Sequence, residues 1–374
     1  MKRLIPIALV AAAGLAACSS SSSKTPSGTA ATTPPTTASI TPTTGNPTAA
    51  TTLNESGSSL LYPFLQLLES PLTQKFSNVT LAPAAGGSGK GISDAIAGTV
   101  QMGGSDAYLS NSQLTTNPGL LNIPIAVSSQ AVNYNLPGVS NLKLTGDVLA
   151  KIYQGQITKW NAQEITSLNP GVTIPSTTIV PVRRVDSSGD TFLFTSFLSA
   201  TNTAWNNGPA FGTTVTWPAA SGELTASGNP GMVQTCKSTP GCVAYIGISA
   251  ESTAQSAGLG EAMLQNKDGQ YLLPSSSTVN AAVNAGSGNI PTNLAAPLIY
   301  EPGAQSYPIV NFEYIIVKSK QSSADVALAI RDFLSFAIDP AGGSTPTYLA
   351  KDNFVALPSS VIPKVNTAIA SISS

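Results

Sequence analysis

VRRVDSSGDTFLFT, residues 182–195, sets four charges in eight positions of a chain in which only 9% of residues are charged. Arg183, Arg184, Asp186 and Asp190 surround Ser187, Ser188 and Gly189. The preceding TIVPVRRV (178–185) reads as a strand, and Leu193, Phe194, Phe197 and Leu198 recur at helical spacing. The stretch is therefore a strand, a polar turn and a helix start, the repeating joint of an α/β fold. The first N–H groups of a helix have no intrahelical acceptor and carry partial positive charge. An anion docked on Ser188, Gly189 and Asp190 would use that helix start.

Two other turns share the pattern. ESGSSLLYPFLQLL (55–68) and GGSGKGISDAI (86–96) also place small hydroxyl residues and glycine before a helical pattern. Ser58, Ser59 and the N–H of Leu60 are the candidate donors of the first, and Ser88 of the second. Serine and glycine at a helix start most often act as plain N-caps, so each turn alone says little. GGSGKG is not a phosphate-binding P-loop, because its first glycine position falls on Ala84 and Gly91 follows Lys90. It is not a nucleophile elbow either, since Lys90 takes the last glycine position. Lys90 itself reads as an exposed lysine.

The charges add direction. Arg184 offers planar, bidentate donors to a tetrahedral oxyanion, and Asp186, two residues on, would orient it. Arg183 points the opposite way if 178–185 is a strand. Asp106 ends VQMGGSD (100–106), a strand and turn, and Asp190 opens a helix. Both have bland readings, as a turn carboxylate and a helix N-cap. A carboxylate facing an anion makes sense only if the anion has a proton to give. Phosphate near neutral pH has one and sulfate does not. Sites built on such a bond discriminate by ~10⁴–10⁵.

Composition closes off other classes. The chain has no histidine, which removes Ser-His-Asp and Cys-His catalysis and histidine-bound metals. Three cysteines, at 18, 236 and 242, are too few for a thiolate zinc site, and no cofactor or metal is expected. A net charge of −1 lacks the basic footprint of a nucleic-acid binder. MKRLIPIALVAAAGLAAC (1–18) has a basic start, a short apolar run and small residues before a cysteine. It reads as a lipoprotein signal peptide with Cys18 lipidated, the alternative being an ordinary secretory signal. Export favours a disulfide between Cys236 and Cys242 across the KSTPG turn. Residues 19–52, rich in Ser, Thr and Pro, read as a disordered tether, and the fold is expected from Leu53. NVTLAPAA (78–85) reads as a strand and SGKGISDAIAGT (88–99) as a helix. Ser322 and Asp325 suggest a capping box before the helical face of Val326, Ile330, Phe333, Leu334 and Ile338. The length suits about two domains.

Five segments in order, GSSLLYP (57–63), GGSGKG (86–91), GGSDAYLS (103–110), YQGQITKWNAQEITSLNPG (153–171) and VRRVDSSGDTFLFT, resemble the PstS family, the phosphate-binding proteins of Pst-type ABC transporters. The actinobacterial lipoprotein branch is most similar, including its short Cys236–Cys242 pair. The resemblance implies an α/β, two-lobed, type II-like clamp with hinge strands and a cleft between lobes. Lobe one would hold 53–132 plus 305–374 and lobe two 133–304. It implies inorganic phosphate bound by Ser58, Ser59, Leu60, Ser88, Arg184, Ser188, Gly189 and Asp190, with Asp106 accepting the phosphate proton and Asp186 orienting Arg184. Many relatives have threonine at the positions of Asp190 and Ser59. A carboxylate at 190 would accept a second proton or bind a backbone N–H. Trp160 reads as packing of the second lobe. The resemblance further implies a monomeric, non-enzymatic lipoprotein on the outer face of the cytoplasmic membrane, serving the permease subunits. The rivals are a secreted phosphatase using Asp106 or Asp190, the same clamp tuned to another oxyanion, and a surface adhesin or sensor.

Overall fold

The computed structural model describes residues 41–374. The stretch expected to be a signal peptide, Cys18, and the part of the expected tether up to residue 40 lie outside the described residues. Among the described residues, no helix is long and apolar enough to cross a membrane.

One curled mixed sheet runs through the protein. Its strands stand in the order Val79–Ala82, Thr51–Gly57, Met102–Ser105, Ile309–Lys318, Leu120–Tyr134, Cys242–Gly247, Val180–Arg184 and Leu224–Ala226. The first three are parallel to one another, and so are the last three. Between these halves lie two long antiparallel strands. Leu120–Tyr134 is buried along nearly its whole length, and Ile309–Lys318 is exposed only at its last residue. Both strands are buried on both faces, so neither alternates apolar with exposed polar residues. Leu120–Tyr134 pairs first with Ile309–Lys318, from Leu120 opposite Lys318 to Ser129 opposite Val310. Its last residues, Gln130–Tyr134, pair with Cys242–Gly247. One strand thus belongs to both halves. The register between the two long strands shifts at Glu313/Tyr314, an irregularity that re-aims side chains locally.

The expected strands and helices appear as Val79–Ala82, Ser88–Ala97, Met102–Ser105, Val180–Arg184 and Gly189–Thr201. Two boundaries differ. The first strand opens at Thr51, and the chain before it is already fastened to the helix Ala324–Ile338. The Gly45 N–H donates to Asp332 Oδ1 at 2.8 Å, and Thr48 donates from both N–H and hydroxyl to the Asp325 carboxylate at 2.9 and 2.7 Å. The segment 45–52 is therefore not tether. The second difference is the cap: it is Ser323, whose Oγ accepts from Val326 N–H, not Ser322, and Asp325 binds Thr48 instead of closing a capping box.

Cys236 and Cys242 form a disulfide. It ties the end of the helix Gly228–Lys237 to the start of the strand Cys242–Gly247. Trp160 is fully buried in the second half, its Nε1 donating to Gly241 O at 2.9 Å. Arg183 leaves the opposite side of its strand from Arg184 and pairs with Glu223 at 2.9 Å.

Candidate functional site

The site collects the carboxyl ends of parallel strands from both halves, where open α/β sheets bind ligands. Ser58 and Ser59 follow Thr51–Gly57, Ser88 follows Val79–Ala82 after a short turn, and Asp106 follows Met102–Ser105. From the other half, Arg184 ends Val180–Arg184, and Ser188–Asp190 begin the next helix. The three turns read from sequence are brought together.

They are fixed to one another by backbone bonds. Gly86 and Gly87 N–H both donate to Gly57 O, at 2.8 and 2.7 Å, and Ser58 N–H to Gly104 O at 2.9 Å. Across the halves, Gly89 N–H donates to Ser187 O at 3.0 Å. Two glycines make this closeness possible. Gly87 has φ +89°, and a Cβ there would stand 2.6 Å from Ser187 O. A Cβ on Gly189 would collide with the Asp106 carboxyl and Ser88 Oγ. Gly189 therefore brings its helix start directly against Asp106 Oδ2.

Arg184 is almost wholly buried, and its guanidinium is held as the sequence suggests. Nε donates to Asp186 Oδ1 at 2.8 Å, Nη2 donates to Asp186 Oδ2, and Nη1 donates to Asp190 Oδ2 at 2.8 Å. Of its five N–H donors, two remain. Burial alone would raise Asp186, but the hydrogen bond and charge of Arg184 outweigh it and hold the carboxyl below its usual range. Asp190 is held by side chains. Its carboxylate accepts from Arg184 and from Gln130 Nε2 at 3.0 Å, a side chain rather than a backbone N–H. Burial nevertheless leaves it raised against the pull of Arg184 and Gln130.

Asp106 is buried, with Ser58 Oγ donating to its Oδ1. That same Oγ accepts from the N–H groups of Leu60 and Leu61, each at 3.0 Å. Ser58 thus caps its own turn and points its proton at Asp106. Ser88 Oγ accepts from Asp106 N–H at 3.1 Å. Burial first, then the carboxyls of Glu313 and Asp190, push Asp106 well above its ordinary value. Among the described residues no group of His, Cys, Asp and Glu could hold a metal ion.

Several residues at the site escaped the sequence reading. The helix Gly228–Lys237 is a further helix start here: Asn229 N–H donates to Ser59 Oγ at 3.3 Å, and its Oδ1 accepts from Gly247 N–H at 2.9 Å. Its SGNPG (227–231) has the same serine-glycine signature as the other turns. Gln130, Ser128, Asn311 and Glu313 come from the middle of the two long strands, where no turn marks them. Tyr245 OH accepts from Arg184 N–H at 2.9 Å. Beside the site a cavity of about 490 Å³ is walled by Ala107, Tyr108, Phe192 and Thr213, with the Tyr108 and Phe192 rings edge-to-face at 5.5 Å.

The model of the PBP superfamily domain matches residues 42–341. The phosphate-binding protein PstS of Methanocaldococcus jannaschii is 34% identical over 304 residues, covering 76% of this chain and 77% of that protein. The chain belongs to the PstS family of phosphate-binding proteins. A PstS-family member of Mycobacterium bovis is 32% identical over 332 residues, 86% of each chain. In fold, the chain is similar to a high-affinity periplasmic phosphate-binding protein solved with phosphate, with a TM-score of 0.68 at 22% identity over 85% of this chain and 93% of that one. PstS membership gives the chain a two-lobed fold and places it among substrate-binding proteins rather than enzymes.

Proposed function

We propose that this chain binds inorganic phosphate among these turns and hands it to an ABC importer. The observation that carries the reading is the placement of Asp106. Its buried carboxyl lies against the Gly189 helix start, and Arg184, with two N–H donors uncommitted, ends the strand that leads into that helix. Positive donors and one acceptor around the same space suit an anion that still carries a proton. Phosphate meets that condition, and sulfate would leave Asp106 unpaired and repelled. A charge-assisted bond contributes ~1.5–3 kcal/mol net, so several exceed the ~8 kcal/mol of a micromolar Kd before ordering costs. The names of the relatives support phosphate as the ligand.

In this reading the long strands Leu120–Tyr134 and Ile309–Lys318 are the hinge. Lobe one runs from the first strand to about residue 132 and from about 305 onward; lobe two is the segment between. The Gly89–Ser187, Asn229–Ser59 and Tyr108–Phe192 contacts close the lobes on each other, and release to the permease would part them. Cys18 would carry the lipid that holds the chain, as a monomer, on the outer face of the cytoplasmic membrane. The basic start and the small residues before Cys18 support this.

Titration calorimetry of the purified chain with phosphate and then sulfate at neutral pH tests the reading. Micromolar or tighter phosphate binding without sulfate heat is expected. Equal affinity for the two anions, or none for either, would remove it.

A further inference from the structure

The strand Leu120–Tyr134 changes partner between Ser129 and Gln130. Ser129 faces Val310 of the other long strand, and Gln130 already faces Gly247 of the second half. The side chain at this crossing is a fully buried glutamine. A buried amide costs free energy unless its polar atoms find partners. Gln130 Nε2 makes two bonds, and both go to one residue: the Asp190 backbone carbonyl at 2.9 Å and Asp190 Oδ1 at 3.0 Å. Both partners are acceptors, so the nitrogen end of the amide must face them. Gln130 Oε1 has no donor among the described residues, so the side chain is held by its grip on Asp190.

The ladder leaves room for that grip. Gly247 stands opposite Gln130, and a Cβ on Gly247 would come within 2.9 Å of Asp190 Oδ1. The grip occupies one carboxylate oxygen and leaves the other, Oδ2, to accept from Arg184 Nη1 at 2.8 Å. A neutral donor suits this place. A cation at 130 would compete with Arg184 for the carboxylate, and an acid would repel it. The chain of bonds Arg184–Asp190–Gln130 thus runs from the guanidinium to the strand that belongs to both halves.

We propose that Gln130 is a positioning residue of the anion site: acting through Asp190, it fixes the Arg184 guanidinium relative to the strand about which the lobes close. This rests on the phosphate reading and deepens it. Gln130 need not touch the ligand. With its grip lost, the Asp190 carboxylate can turn, and Arg184 Nη1 turns with it. The two uncommitted donors of Arg184 then no longer meet the anion in a fixed plane.

Gln130→Met keeps the length and the buried stem of the side chain and loses both donated bonds. Calorimetry with phosphate should show about tenfold weaker binding, the loss of one hydrogen bond to a charged group. A double-mutant cycle separates positioning from mere packing. In an Asp190→Ala background, Gln130→Met should cost no more than about twofold, because the carboxylate through which it acts is gone. Tyr307→Phe is the control, since Tyr307 donates its hydroxyl to the Gln130 backbone carbonyl at 2.8 Å. That variant loosens the same strand position and leaves the amide, so its affinity should stay within about twofold of wild type. A loss equal to that of Gln130→Met overturns the proposal. One readout needs no variant: phosphate should shift the NMR signal of the Gln130 side-chain amide in the wild type, and a signal unmoved at saturation overturns the proposal. Additive losses in the cycle, with a wild type that binds phosphate, overturn this proposal alone. Wild type that binds no phosphate would overturn the phosphate reading and this proposal with it.

Discussion

The Arg184 guanidinium closes on the carboxylate of Asp186, two residues further along the chain, with Nε 2.8 Å from Oδ1 and Nη2 on Oδ2. That fork fixes the plane in which the remaining donors point. A lysine has no fork and only a point charge. Arg184→Lys is expected to weaken phosphate binding by roughly a hundredfold, about two charge-assisted bonds. Asp186→Asn, which keeps an acceptor but loses its charge, should cost roughly tenfold. Calorimetry on both variants checks the order; equal losses would mean that Asp186 contributes more than orientation.

Gly189 is expected to tolerate no side chain. A Cβ there collides with the Asp106 carboxyl and Ser88 Oγ, and one on Gly247 would come within 2.9 Å of Asp190 Oδ1. Gly189→Ala should lower phosphate affinity by at least ~100-fold while shifting unfolding by no more than ~1–2 kcal/mol, because the clash lies between the halves and opening relieves it. Thermal unfolding beside calorimetry separates the two effects.

Ligand-free stability should fall as pH rises. Burial pushes both Glu55 and Glu261 up to about 8. A raised acid keeps its proton in the folded chain where the unfolded chain has lost it. Its contribution is therefore complete below the ordinary carboxyl range and is lost as pH climbs toward about 8. Thermal unfolding at mildly acidic and mildly alkaline pH should show the decline, and Glu55→Gln should flatten it by an amount on the order of 1–3 kcal/mol. A profile that rises over that range would contradict the assignment.

The turns of this site were legible because each combines chemistry with a local signal. Ser58, Ser88, Asp106 and Ser188 lie where a strand ends, and glycines mark those places in the sequence. Arg184 and Asp186 alternate on one side of an extended segment, which sequence spacing alone exposes. The Ser187-to-Gly89 contact was not legible, because it depends on how the two halves meet. Gln130 and Glu313 were hidden for a different reason. They sit mid-strand with no turn beside them, and only pairing with strands remote in sequence aims them at the site. The early start of the fold was masked by composition: Gly45 and Thr48 lie in a Ser/Thr/Pro-rich segment, yet acids of a helix near the other end of the chain hold them.

The most direct test concerns Asp106. Asp106→Asn retains an acceptor for Ser58 but presents an amide that can also donate to the anion. Phosphate and sulfate affinities of wild type and variant would be measured by calorimetry at neutral pH. The wild-type preference for phosphate should be at least ~10³ and should collapse by about a hundredfold or more in the variant, with sulfate gaining. An unchanged preference in Asp106→Asn would contradict the account, because discrimination would then not rest on the proton that Asp106 accepts.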